Sequence, residues 1–118
     1  MFPYENLEVY NMAFDYNQKI YRLLKERNVL PSYFRDQLGR ASFSIQLNIA
    51  EGSGRFSPKD RRNFLVVARS SSFECASLGQ FLLAENEIPE ERAIEFAGTL
   101  EEISKMLFKM ISNLFETK

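Results

Sequence analysis

The stretch Gly52-Ser53-Gly54-Arg55-Phe56-Ser57-Pro58-Lys59-Asp60 restricts the possible folds of this chain more than any other. Two glycines bracket a turn, Ser57 is a strong helix N-cap, and Pro58 takes the favoured first helical position. Asp60 then stands at the capping-box-like third position, so a helix begins at Pro58. Upstream, Phe34, Leu38, Ala41, Ile45, Asn48 and Gly52 alternate steps of four and three, which predicts a helix running into the turn. Downstream, Phe64, Ala68, Ser71, Cys75, Leu78 and Leu82 repeat that alternation, and Leu65, Val67 and Phe81 widen the apolar face. The two together make a hairpin of helices.

The outer segments follow the same period. Leu7, Tyr10, Ala13, Phe14, Ile20, Tyr21 and Leu24 predict a first helix capped by Asn6 and closed by Asn28 and Pro31, after which Ser32 caps the second. Pro89, Glu90 and Glu91 open a fourth, with the stripe Ala93, Ala97, Leu100, Ile103, Leu107, Met110, Ile111 and Leu114. Lys105, Lys109 and Lys118 suit its C-terminal half. The predicted helices cover 6–27, 33–53, 58–86 and 89–116, with no strand periodicity and no internal repeat.

A chain of 118 residues with 45% hydrophobic side chains has the length of one domain, here 1–118, and material for a core. The reading is all-α: an antiparallel up-down-up-down four-helix bundle. Val9, Met12, Tyr16, Phe96, Met106, Phe108 and Phe115 lie beside the predicted stripes. That surplus reads as a second apolar face for self-association.

Catalysis has little to work with. There is no histidine, which removes Ser-His and Cys-His pairs and the Glu-x-x-His metal sites of bundle enzymes. The one cysteine, Cys75, excludes an internal disulfide and falls on the core stripe, where it serves as a small apolar side chain. Ser71 reads as packing, since no base accompanies the serines at 70–72. Glu51 and Glu74 flank the stripes beside Gly52 and Cys75; an acid–base pair is conceivable, but pairing with Arg40, Arg55 or Arg69 is the stronger reading. No catalytic residue, metal ligand or cofactor is therefore assigned, and a non-enzyme is expected. No secretory leader or membrane span is read from the sequence, so a cytoplasmic protein is expected.

The net charge of −1 conceals segregation. Arg55, Lys59, Arg61, Arg62 and Arg69 are opposed within their own stretch only by Asp60. Glu85, Glu87, Glu90, Glu91, Glu95, Glu101 and Glu102 face Arg92 alone. The basic stretch, joined by Arg40 and by the free N–H groups opening the third helix, suits a phosphate backbone. The competing reading is a solvated face whose arginines meet glutamates of a neighbouring molecule.

The run Gln46-Leu47-Asn48-Ile49-Ala50-Glu51-Gly52-Ser53-Gly54-Arg55, followed by Phe64-Leu65, Ala68, Ser71 and Glu74, resembles the four-helix-bundle family encoded in intervening sequences of bacterial 23S ribosomal RNA genes. Leu7-Glu8-Val9-Tyr10-Asn11-Met12-Ala13 is similar to that family's first helix. The resemblance implies a homo-oligomer, typically a pentameric ring. It extends to the accessory variability protein of diversity-generating retroelements, which implies RNA or DNA and a reverse transcriptase as partners. It marks Asn48, Glu51, Gly52, Arg55, Ser71 and Glu74 as motif positions and carries over no catalytic residue. Ser70 departs from the glycine common in the family before Ser71.

Overall fold

The computed structural model describes residues 1–115. A short 3-10 turn, Pro3–Asn6, leads into four helices: α1 (Glu8–Glu26), α2 (Ser32–Ser53), α3 (Pro58–Ala84) and α4 (Glu90–Asn113). They pack as an antiparallel bundle in which α1–α2, α2–α3, α3–α4 and α1–α4 are neighbours, forming a rod of 51 × 23 × 22 Å. The α2–α3 seam is the most extensive.

The expected boundaries hold to within a few residues inside the described part, while residues 116–118, with Lys118 and the end of the predicted fourth helix, lie outside it. The caps divide. Ser57 caps α3 as expected, its Oγ accepting the Asp60 N–H at 3.0 Å. Asn6 does not cap α1; it lies in the 3-10 turn, and Leu7 holds the cap position without a side-chain bond. Ser32 is the first residue of α2 rather than its cap, and Arg27 rather than Asn28 closes α1. The end of α3 is a Schellman closure: Asn86 adopts φ 59°, the Glu87 N–H reaches Leu82 O at 2.8 Å, and the Asn86 N–H reaches Leu83 O at 3.0 Å. Buried Ile88 then plugs the corner.

The core corrects the phase of three stripes. In α1 the buried apolar residues are Val9, Ala13, Tyr16, Ile20 and Leu23, whereas Phe14 and Tyr21 are exposed. The sequence carries two overlapping apolar stripes there, and Tyr16 wins because its ring meets Phe96 edge-on at 5.7 Å across the α1–α4 seam. In α2, Ile49 is fully buried and Asn48 only half-buried. In α4, Phe96 takes the core and Ala97 is exposed. Val67 and Phe81, read as widening the α3 face, are exposed.

These shifts use up much of the surplus assigned to self-association. Val9, Tyr16 and Phe96 are core, and Met12 and Met106 pack against it; only Phe108 and Phe115 of that set remain exposed. Other exposed apolar side chains include Phe14, Tyr21, Phe43 and Leu47 on α1 and α2, and Phe73 and Ile94 on α3 and α4.

Candidate functional site

The motif residues converge on the α2–α3 seam and the turn that ends it. Gly52 is buried where α3 begins, and a Cβ placed on it would lie 3.1 Å from Phe64 Cβ and 3.5 Å from Arg61 O. Any side chain here requires Phe64 to give way by a few tenths of an ångström, so glycine suits the close approach of α2 and α3. One turn back, Asn48 Nδ2 donates to Ser44 O at 2.8 Å and to Ser44 Oγ at 3.1 Å. Ser71 Oγ then donates to Ser44 Oγ at 2.7 Å, joining the two helices. Farther along, the Gln37 amide bonds the Glu74 carboxylate. Asn48, Gly52, Ser71 and Glu74 thus act together as one packed seam.

At the turn, Glu51 pairs with Arg55 at 3.1 Å, one helical turn on, and the Arg55 guanidinium lies 4.6 Å from the centre of the Phe64 ring. Arg61 Nε donates to Arg55 O at 2.6 Å, which holds the turn against α3. Lys59 and Arg62 are exposed, and no carboxylate among the described residues forms an ion pair with either. A recess of about 420 Å³ is lined by Leu7, Ile49, Leu65, Met110 and Leu114 together with Gly52, Ser53 and Arg61.

Two of the arginines grouped by sequence stand apart from this turn. Arg69 lies between the rings of Phe73 and Phe108, 4.8 and 5.2 Å from their centres, and its Nε donates to Ser104 O at 3.2 Å. Its guanidinium holds α3 to α4. Arg40 is exposed on α2 near the level of Glu74, about 18 Å of helix before Gly52. The acidic stretch is partly neutralised within the chain: Glu95 pairs with Lys19 at 2.6 Å and Arg92 at 3.7 Å, and Glu87 pairs with Arg27. The Glu95 hydrogen bond raises the Lys19 ammonium above its ordinary value.

No reactive group emerges from the core. Burial pushes the Cys75 thiol up to about 12, against the lowering effect of its bond with Tyr16. Burial, reinforced by the adjacent thiol, likewise raises the Tyr16 phenol. Glu51 and Glu74 are engaged separately, by Arg55 and Gln37, and do not meet as a pair. Among the described residues, no group of three or more His, Cys, Asp or Glu could hold a metal ion, and no helix is long and apolar enough to cross a membrane.

The model of the 23S rRNA-intervening sequence protein family matches residues 5–109. The chain belongs to that family. A crystal structure of a protein with unknown function from the S23 ribosomal protein family of Bacteroides thetaiotaomicron is similar, with a TM-score of 0.82 and 23% identity over 89% of this chain and 99% of that one. At that identity the likeness establishes the fold. No curated protein matches the sequence.

In this member of the 23S rRNA-intervening sequence family, sequence reasoning missed a second polar cluster, between α1 and α2. Asn17, only 4% exposed, donates through Nδ2 to Gln46 Oε1 at 2.8 Å and accepts from Ser42 Oγ at 2.8 Å. Gln46 Nε2 in turn donates to Tyr10 Oη at 3.2 Å. A signal was present: Asn17 falls four residues after Ala13 and three before Ile20, on the buried stripe itself.

Proposed function

We propose that this protein acts by binding rather than catalysis, as a cytoplasmic homo-oligomer that contacts RNA or DNA through the turn end of its bundle. Arg55, Lys59, Arg61 and Arg62 supply the phosphate contacts, with Arg62 and Lys59 as the two whose charges are least engaged. The observation that carries this reading is their convergence at the start of α3, where Asp60 is the one carboxylate of the first turn. There the helix dipole adds to their field, although Ser57 already takes the Asp60 and Arg61 N–H groups and Pro58 has none. Arg40 and Arg69 act outside this contact. The family resemblance implies a pentameric ring, and repetition of one basic end around a ring multiplies weak phosphate contacts.

The test is light scattering coupled to size exclusion, with and without a short structured RNA, at low and moderate salt. The expected result is an oligomer that gains mass with RNA at low salt and loses it as salt rises. Replacing Arg61 and Arg62 together by Glu abolishes the gain. Binding that survives that replacement unchanged sinks the placement.

A second reading, an oligomeric scaffold for a protein partner such as a reverse transcriptase, is favoured by the exposed Phe14, Phe43, Leu47, Phe73 and Ile94 on two pairs of helices. An oligomer that ignores RNA at every salt concentration selects it.

A further inference from the structure

Helices α1 and α2 do not close over their outer side. Between them runs a groove of about 460 Å³, walled by Phe14, Tyr21 and Phe43, floored by Asn17 and Gln46, and edged by Arg22 and Lys25. The three rings are 44%, 58% and 48% exposed, far more than core packing would leave them. No carboxylate lines the groove among the described residues, and neither Arg22 nor Lys25 enters an ion pair there. Lys25 Nζ instead stands 5.4 Å from the centre of the Tyr21 ring.

The floor is polar and has capacity to spare. Gln46 gives one amide hydrogen to Tyr10 and accepts one from Asn17, so a second hydrogen and a second lone pair remain for a ligand. The cluster also holds that amide in place, since Asn17 is itself fixed by Ser42. Aromatic walls, an ordered amide that both donates and accepts, and cations at the rim suit a planar polar ring carrying an anion. An aliphatic peptide anchor would leave the amides facing apolar groups, at a cost in unpaired hydrogen bonds. A duplex keeps its ring faces stacked inside.

We propose that this groove binds one unstacked nucleotide of a single-stranded RNA. The base lies against the aromatic walls with its edge toward Gln46, and the phosphate faces Arg22 and Lys25. The proposal deepens the nucleic-acid reading given above, on which it rests for the polymer, and adds a site that reads bases rather than phosphates.

Fluorescence anisotropy of a short labelled single-stranded RNA, an abasic strand of equal length and an RNA duplex separates the cases. The proteins compared are the wild type, Tyr21→Ala with Phe43→Ala, Arg22→Glu, and Arg61→Glu with Arg62→Glu, each checked for helicity by circular dichroism. The single strand is expected to bind tighter than the abasic strand, and the double aromatic variant to lose about tenfold on the former and nothing on the latter. Arg22→Glu is expected to weaken both strands. Binding that falls with Arg61→Glu/Arg62→Glu yet ignores every groove variant overturns the groove and leaves the basic end standing. The converse pattern supports the groove and removes the basic end. No binding of any RNA at low salt removes both. Groove variants that dissociate an oligomer without changing RNA affinity overturn the proposal and make the groove a contact between copies.

Discussion

Along α3, helix α2 presents Ser44, Asn48 and Gly52; along α1 it presents Ser42 and Gln46. Both seams carry polar side chains, yet they differ in outcome. Toward α3, near the turn, two serine hydroxyls bond each other directly and Gly52 brings the backbones together beside Phe64. Toward α1 the bonds pass through the amides of Asn17 and Gln46, and a groove with aromatic walls remains outside them. The close approach at Gly52 is what the α1 seam lacks, and there the polar contact stays open on its outer side. Asn48, Gly52 and Ser71 lie on the sealed seam, so they bear on architecture first.

The strongest way to break that contrast is to force the sealed seam open. Gly52→Val drives branched carbons toward Phe64, whose Cβ would stand 3.1 Å from even a single added methyl, and is expected to cost about 3 kcal/mol in urea unfolding. Gly52→Ala should cost less, because a small shift at Phe64 is offset by the better helix propensity of alanine. A midpoint unchanged by valine would mean that α3 slides freely, and the sealed seam would then be no seal.

On the open seam, Asn17→Ala removes the shared partner of Ser42 and Gln46 and is expected to cost about 2 kcal/mol. Ser42 Oγ can then donate to Gly39 O, 3.1 Å away, and half-buried Gln46 can turn to water, so the cost is that of the Asn17 bonds themselves, one of which Ser42→Ala removes as well. The double variant Asn17→Ala with Ser42→Ala should therefore be less unstable than the sum of its parts. Strict additivity in thermal unfolding would show that the cluster is not cooperative. Next in size, Ser71→Ala breaks the Oγ–Oγ bond to Ser44 and should cost about 1 kcal/mol, measured the same way.

How legible these regions are in the sequence follows from their physics. The turn and the start of α3 are readable because Ser57, Pro58 and Asp60 act locally, through bonds within one helical turn. Gly52 is readable because a glycine on a core stripe points directly to a close approach of helices. The phase of α1 is not, because Phe14 and Tyr21 fit the helical period as well as Val9 and Tyr16 do, and only the packing of Tyr16 on Phe96 separates them. The period puts Asn48 in the core for a related reason: it and Ile49 are adjacent, and the register between α2 and α3 chooses Ile49. Arg69 resembles a phosphate contact in sequence because its aromatic neighbours include Phe108, on another helix. The groove is hidden for the same reason, since its walls come from two helices and its basic edge lies outside the motif.

The smallest expected effect is the most informative about the motif. Glu51 and Arg55 form an exposed pair one turn apart, with side chains 59% and 45% accessible, and such pairs contribute no more than about 0.5 kcal/mol. Glu51→Ala should therefore leave the unfolding midpoint nearly unchanged, unlike Gly52→Val beside it. Stability then separates two kinds of motif residue. If Glu51→Ala is stable and also matches the wild type in the proposed oligomer and RNA affinity, Glu51 serves only to steady Arg55 over the Phe64 ring. If it is stable but loses the oligomer, its carboxylate meets a cation of a neighbouring copy. If RNA affinity instead rises, the carboxylate had been restraining Arg55, and the guanidinium freed from it is a phosphate contact. Light scattering and anisotropy on this one variant distinguish the three, because its fold is expected to remain intact throughout.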